Sequence, residues 1–76
     1  MERLKKIIQD LCFQTQEINE NTSLLTDLGF DSLQILRLLV EIENEYKFKI
    51  SYDSIDYEIF NKYGELEAYV TSKIQS

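Results

Sequence analysis

In two stretches of this sequence apolar residues recur at the spacing of an α-helix. The chain contains few residues that would interrupt a helix. Apolar residues recur three and four positions apart in two sets, first Leu4, Ile7, Ile8 and Leu11, then Ile35, Leu38, Leu39, Ile42 and Tyr46. This spacing places each set on one face of a helix. The 76 residues include no proline and only two glycines. The sequence therefore predicts an all-α fold.

Local signals give the limits of the first two helices. The first helix is predicted over residues 2–12. Asp31 is suited to cap the second helix, because Gln34 lies three residues later and the two side chains can form a capping box. The apolar face of the second helix predicts that it extends to about Tyr46.

The remaining segments complete a small bundle. Residues 14–30 lose the helical spacing, which predicts a long loop between the first two helices. Three leucines are expected to hold this loop against the core, namely Leu24, Leu25 and Leu28. Residues 47–54 are predicted to be a loop and residues 55–60 a short helix, and a last helix begins near Gly64. Its inward side chains are predicted to be Leu66, Tyr69, Val70 and Ile74. We expect a single domain over residues 1–76, a four-helix bundle of three main helices and one short helix.

Composition excludes several classes of function. The net charge is −6, and residues 17–58 alone hold ten acidic residues against three basic ones. Such an acidic region repels nucleic acid and favours basic protein partners. The chain has no histidine, which excludes a histidine-based triad or metal site, and its one cysteine can form no internal disulfide. The N-terminus has no apolar stretch of the kind found in signal peptides or membrane spans. We expect a cytoplasmic monomer, and its start at Met1 favours a free-standing protein.

Residues 28–33 read Leu-Gly-Phe-Asp-Ser-Leu, which resembles the Leu-Gly-x-Asp-Ser-Leu signature of acyl carrier proteins. The resemblance extends over nearly the whole chain, because a helix and a long loop precede the motif and an acidic helix follows it. The resemblance implies that Ser32 carries a covalent 4′-phosphopantetheine, which a phosphopantetheinyl transferase adds. It also implies that Asp31 helps to present Ser32 to this transferase. The chain would then hold acyl groups as thioesters for loading and synthase enzymes, without being an enzyme itself.

The chemistry of Ser32 agrees with this resemblance. A serine without a neighbouring base is a poor nucleophile, so its hydroxyl is better suited to be the substrate of another enzyme. The N-terminus of a helix also favours a phosphate group, because free N–H groups and the positive end of the helix dipole face it. The competing interpretation is that Ser32 is an ordinary helix-start residue, since serine is favoured there in any case.

A second apolar strip in the second helix indicates a docking surface. Leu33, Leu36 and Val40 lie opposite the predicted core face. An apolar strip on a small acidic surface, close to Ser32, is typical of a partner-binding face. The predicted partner-binding residues are Leu33, Leu36, Arg37, Val40, Glu41 and Glu43, of which the acids would orient the partner. The alternative is that this helix is buried on two sides.

Several residues depart from what the resemblance implies for fatty-acid carriers. Arg37 and Asn44 stand where acids are common, and Ser51 stands where proline often follows the second helix. The pathway therefore stays open between fatty-acid-like, polyketide and other specialised biosynthesis. A stand-alone aminoacyl or peptidyl carrier is an alternative, although Asp31 favours the acyl class. An alternative of another class is a small helical interaction module without a cofactor.

Overall fold

The computed structural model describes residues 2–13 and 17–75. Over these residues the chain forms three α-helices and one 3₁₀ helix, and no β-strand. The elements in chain order are α1 (Glu2–Cys12), α2 (Ser32–Tyr46), the 3₁₀ helix (Tyr57–Asn61) and α3 (Tyr63–Gln75). The all-α prediction is confirmed.

The prediction of a four-helix bundle is wrong, because the short segment after α2 does not form an α-helix. It begins at Tyr57, later than predicted, and it has 3₁₀ geometry over five residues. Asp56 caps it, since a carboxylate oxygen accepts the backbone N–H of Glu58 at 2.9 Å. Turns of 3₁₀ helix are frequent in short segments that connect α-helices.

Both ends of α2 are fixed by local hydrogen bonds. The N–H of Gln34 donates to the Asp31 carboxylate at 2.9 Å, and the N–H of Asp31 donates to Gln34 Oε1 at 3.4 Å. This is the predicted capping box. At the other end Lys47 adopts a left-handed conformation (φ 60°), and its N–H donates to the Glu43 carbonyl at 2.9 Å. The predicted limits of α2 are therefore confirmed.

The core forms around one face of α2. Its buried residues are Ile35, Leu38, Leu39 and Ile42, as predicted, whereas Tyr46 is only partly buried. The other helices contribute Leu4, Ile7 and Ile8 from α1, Phe60 from the 3₁₀ helix, and Tyr63, Leu66 and Val70 from α3. In the part of the chain that the structure describes, no helix is long and apolar enough to cross a membrane.

The long loop before α2 is part of the core. Leu24 and Leu28 are buried, as predicted, but Leu25 is 36% exposed and does not hold the loop in place. A tight turn explains the difference, because the Asp27 carboxylate accepts the N–H of Ser23 while the Asp27 N–H donates to the Ser23 carbonyl. This turn directs Leu24 inward and Leu25 outward.

Backbone hydrogen bonds join the same loop to the start of α3. Tyr63 N–H donates to the Thr22 carbonyl at 2.7 Å, and Gly64 N–H donates to the Glu20 carbonyl at 2.9 Å. The two segments approach so closely that a Cβ atom on Gly64 would lie 3.2 Å from both the Cβ and the carbonyl oxygen of Glu20. A glycine at this position therefore permits the contact.

The last turn of α3 extends past the core. Leu66 and Val70 are fully buried and Tyr69 is partly buried, as predicted. Ile74, however, is 46% exposed, and the prediction that it faces inward is wrong. Residues 72–75 are all exposed, so the helical spacing continues beyond the elements that could cover it.

We expect Ile42→Ala to lower the free energy of unfolding by ~2–5 kcal/mol, because it leaves a cavity in the core. Leu36→Ala, on the exposed face of the same helix, is the matched control and should cost less than about 0.5 kcal/mol. Urea denaturation followed by circular dichroism measures both. Since a small domain has only ~3–5 kcal/mol of stability, Ile42→Val provides a milder variant that stays folded. Equal losses of stability in Ile42→Ala and Leu36→Ala would contradict the burial of only one face of α2.

Candidate functional site

Ser32 is the first residue of α2 and is exposed to solvent. Gly29 turns the chain before it, with a φ of 71° that favours glycine. The neighbouring carboxylate of Asp31 already accepts the N–H of Gln34. The chain has no histidine, and among residues 2–13 and 17–75 no base is hydrogen-bonded to the Ser32 hydroxyl to activate it as a nucleophile. The geometry fits a residue that is modified by another protein.

The start of α2 suits an attached phosphate. The first N–H groups of a helix have no acceptor within the helix, and they lie at the positive end of its dipole. At this end the N–H of Gln34 already donates to the Asp31 carboxylate, which leaves those of Ser32 and Leu33 close to the exposed side chain of Ser32. A phosphodiester on Ser32 would therefore find donors beside it without burying any charge, and the residues present fit a phosphopantetheine group.

Gln34 holds the first turn of α2 in place, a role that the capping pattern only partly predicted. Its Oε1 atom accepts the N–H of Asp31, and its Nε2 atom donates to the Leu11 carbonyl at 3.4 Å. One side chain thus links the start of α2 to the end of α1. The second bond joins residues 23 positions apart, so the sequence carried no local signal for it.

A groove lies on the face of α2 that turns away from the core. It has a volume of about 250 Å³ and is lined by Leu33, Leu36, Arg37, Val40 and Glu41. The apolar members are well exposed, at 64% for Leu33, 46% for Leu36 and 44% for Val40. We call these five residues the α2 groove. The alternative that α2 is buried on two sides is wrong, because this face is open.

Glu43, predicted to bind partners, makes two bonds within the chain. Its Oε2 accepts the N–H of Ile50 and its Oε1 accepts the Tyr52 hydroxyl, each at 2.7 Å. Ile50 is buried, so its N–H needs an acceptor inside the protein. Both hydrogen bonds lower the pKa of the Glu43 carboxyl, and the bond from the Ile50 N–H has a larger effect than the bond from the Tyr52 hydroxyl. Glu43 therefore holds the loop after α2, a role that the sequence prediction missed.

The comparisons with known proteins agree with this geometry. A sequence profile of the family described as "Phosphopantetheine attachment site" matches residues 2–70, which include the start of α2. The acyl carrier protein of Zymomonas mobilis is 41% identical over 56 residues, which is 72% of each chain. That of Clostridium perfringens is 35% identical over 71 residues, covering 92% of this chain and 91% of its own length. That of Thermotoga maritima is 30% identical over 73 residues, covering 95% and 88%.

The chain belongs to the acyl carrier protein family.

Membership in the acyl carrier protein family establishes the cofactor and the general type of function. The cofactor is a covalently attached 4′-phosphopantetheine. Proteins of this family are carriers and are generally not catalysts, and they interact with synthases and with phosphopantetheinyl transferases. The resemblance inferred from residues 28–33 is thereby confirmed.

We expect Glu43→Gln to destabilise the protein at neutral pH and to weaken the dependence of its stability on acid. A carboxyl with a lowered pKa contributes stability that is fully present above its unfolded pKa and is lost as pH falls through the folded pKa. For Glu43 the loss begins at about pH 4.5, its ordinary pKa, and continues below it. Urea midpoints measured at pH 7 and at several values below pH 4.5 compare the variant with the wild type.

Glu41→Gln is the matched control, since it removes the same charge from the same helix without touching the Ile50 and Tyr52 bonds. Its urea midpoint at pH 7 should stay close to that of the wild type. If the two variants lost the same stability over the whole pH range, the bonds of Glu43 would not hold the loop.

Proposed function

We propose that this acyl carrier protein holds acyl intermediates on a phosphopantetheine arm attached to Ser32. The observation that carries the proposal is the exposure of Ser32 as the first residue of α2, directly beside the α2 groove. The arm supplies a thiol that forms a thioester with the acyl group. The profile match over residues 2–70, which include Ser32, supports this assignment.

In the modification step the Ser32 oxygen forms a bond to the phosphorus of the phosphopantetheine part of coenzyme A. The pyrophosphate bond of coenzyme A breaks, adenosine bisphosphate leaves, and the hydroxyl proton passes to the transferase. The chain itself contributes position rather than activation. The Asp31–Gln34 capping box and the bond from Gln34 to Leu11 fix the first turn of α2 and therefore the place of the hydroxyl.

We further propose that the whole of residues 1–76 acts as a single non-catalytic carrier domain in fatty-acid-like, polyketide or other specialised biosynthesis. The relatives reported above are all named acyl carrier proteins, which favours an acyl cargo over an aminoacyl or peptidyl one. A cytoplasmic location fits a chain whose one cysteine can form no internal disulfide.

The α2 groove is proposed as the surface that loading and synthase enzymes contact. Any enzyme that acts on a group tethered to Ser32 must lie against the protein close to that residue. Leu33, Leu36 and Val40 offer apolar area there, and Glu41 adds a charge that can orient the partner. Glu43 borders the same face, but its carboxylate oxygens already accept bonds from Ile50 and Tyr52.

The attachment site is tested by incubating the protein with coenzyme A and a promiscuous phosphopantetheinyl transferase and measuring its intact mass. Wild-type protein should gain the mass of one phosphopantetheine group, and Ser32→Ala should gain none. The variant should keep its helical circular dichroism spectrum, because the Asp31 cap remains. Ser54→Ala, a change of another exposed serine, should still be modified. Modification of Ser32→Ala would refute the assignment, and an unmodified wild type would favour a cofactor-free interaction module.

The docking face is tested with Leu36→Ala in the phosphopantetheinylated protein. Loss of apolar contact area should slow loading from malonyl coenzyme A by a malonyl transferase several-fold, mainly through KM, because only binding is weakened. Leu25→Ala removes an exposed leucine from the loop before α2 and is the matched control. The docking assignment fails if both variants load at the wild-type rate.

A further inference from the structure

Arg37 is the only charged residue in the half of α2 that lies nearest to Ser32. From Ser32 to Val40 no other residue carries a charge, and the acids of the helix begin at Glu41. Arg37 lines the α2 groove together with its apolar residues. The stretch of α2 from Ser32 to Val40 therefore carries a single charge, which is positive, and it lies between two acids, Asp31 before it and Glu41 after it.

The guanidinium of Arg37 is unpaired in the part of the chain that the structure describes. Among residues 2–13 and 17–75 it has no hydrogen bond and no ion pair. Arg3, by contrast, donates to Glu45 at 3.0 Å and so links α1 to the end of α2. An exposed arginine that the fold leaves unpaired, inside a proposed docking groove, remains available to a partner.

When a partner docks on the α2 groove, the charge of Arg37 would strongly affect the free energy of binding. A partner that covers Leu36 and Val40 also removes water from the guanidinium between them, and a desolvated charge without a partner is costly. A basic residue of the partner at this point would add repulsion. A carboxylate would instead accept two parallel N–H bonds from the planar guanidinium, which is a strong and directional pairing.

We propose that the enzymes served by this carrier present a carboxylate, surrounded by apolar side chains, to Arg37. Arg37 then excludes enzymes that place a basic residue at the same point. Glu41 lies four residues further along α2, or ~6 Å along the helix axis, and carries the opposite charge. The pair gives the groove a direction, so that a partner is held in one orientation. This inference rests on the proposed function, because it assumes that partners dock beside Ser32.

The test exchanges charges on both sides of the interface. The probe is a malonyl transferase whose carrier-docking patch is basic, together with a variant of it in which one lysine or arginine of that patch is replaced by glutamate. Wild-type carrier and Arg37→Glu are each converted to the phosphopantetheinylated form, and kcat/KM for loading is measured for all four pairs. Lys62→Glu, which makes the same change of net charge outside α2, is the matched control.

Wild-type carrier should prefer the charge-reversed enzyme, and Arg37→Glu should prefer the basic one, with a coupling of about tenfold that appears in KM. The coupling should shrink as salt is added, because ions screen the interaction. Lys62→Glu should show the wild-type preference. The inference would be overturned if the charge change in the enzyme altered kcat/KM by the same factor for wild-type carrier and for Arg37→Glu. Failure of the carrier to accept phosphopantetheine would instead refute the proposed function, and intact mass separates the two cases before any kinetics.

Discussion

The packing of one face of α2 against the other elements is the interaction on which the rest of the structure depends. Ile35, Leu38, Leu39 and Ile42 are almost fully buried, and residues from α1, the 3₁₀ helix and α3 join the same core. Burying one face of a helix fixes its rotation, and this fixes what the opposite face shows to solvent. The position of the α2 groove beside Ser32 is therefore a consequence of core packing.

Helical spacing predicted most of the fold because it reports a local property of the chain. It gave the limits of α2, its buried face and the exposure of Leu33, Leu36 and Val40, and the capping pattern gave the position of Ser32. The errors arose where burial depends on what lies opposite. Ile74 continues the spacing of α3 past the end of the core, and Leu25 is turned outward by the bonds between Ser23 and Asp27.

The candidate site was predictable as far as it depends on α2 alone. The bonds of Glu43 could not be predicted in this way, because its partners lie seven and nine residues away beyond the end of the helix. Residues 48–52 read Phe-Lys-Ile-Ser-Tyr, and this alternation of apolar and polar side chains, as in a strand, was a partial signal that Ile50 is buried. A buried residue outside a sheet has no strand partner for its N–H, so this donor needs another acceptor. In this protein the acceptor is Glu43.

Four acidic residues of the central region have a structural role and also contribute charge at a distance. Asp27, Asp31, Asp56 and Glu43 each accept a backbone N–H of the same chain, so these carboxylates are committed to turns and caps. Their negative charge still contributes to the field that a partner meets at a distance, within a Debye length of ~8–10 Å.

At contact distance the α2 groove also offers a positive charge, since Arg37 lines it together with Glu41. A partner attracted by the overall field is a basic protein, whereas the proposed docking on the α2 groove adds the requirement of a carboxylate opposite Arg37. The second requirement opposes the first, because a carboxylate within a basic patch lowers the net positive charge of that patch. On this proposal the combination would provide selectivity that net charge alone does not, because the field would determine which proteins approach and Arg37 which of them stay bound.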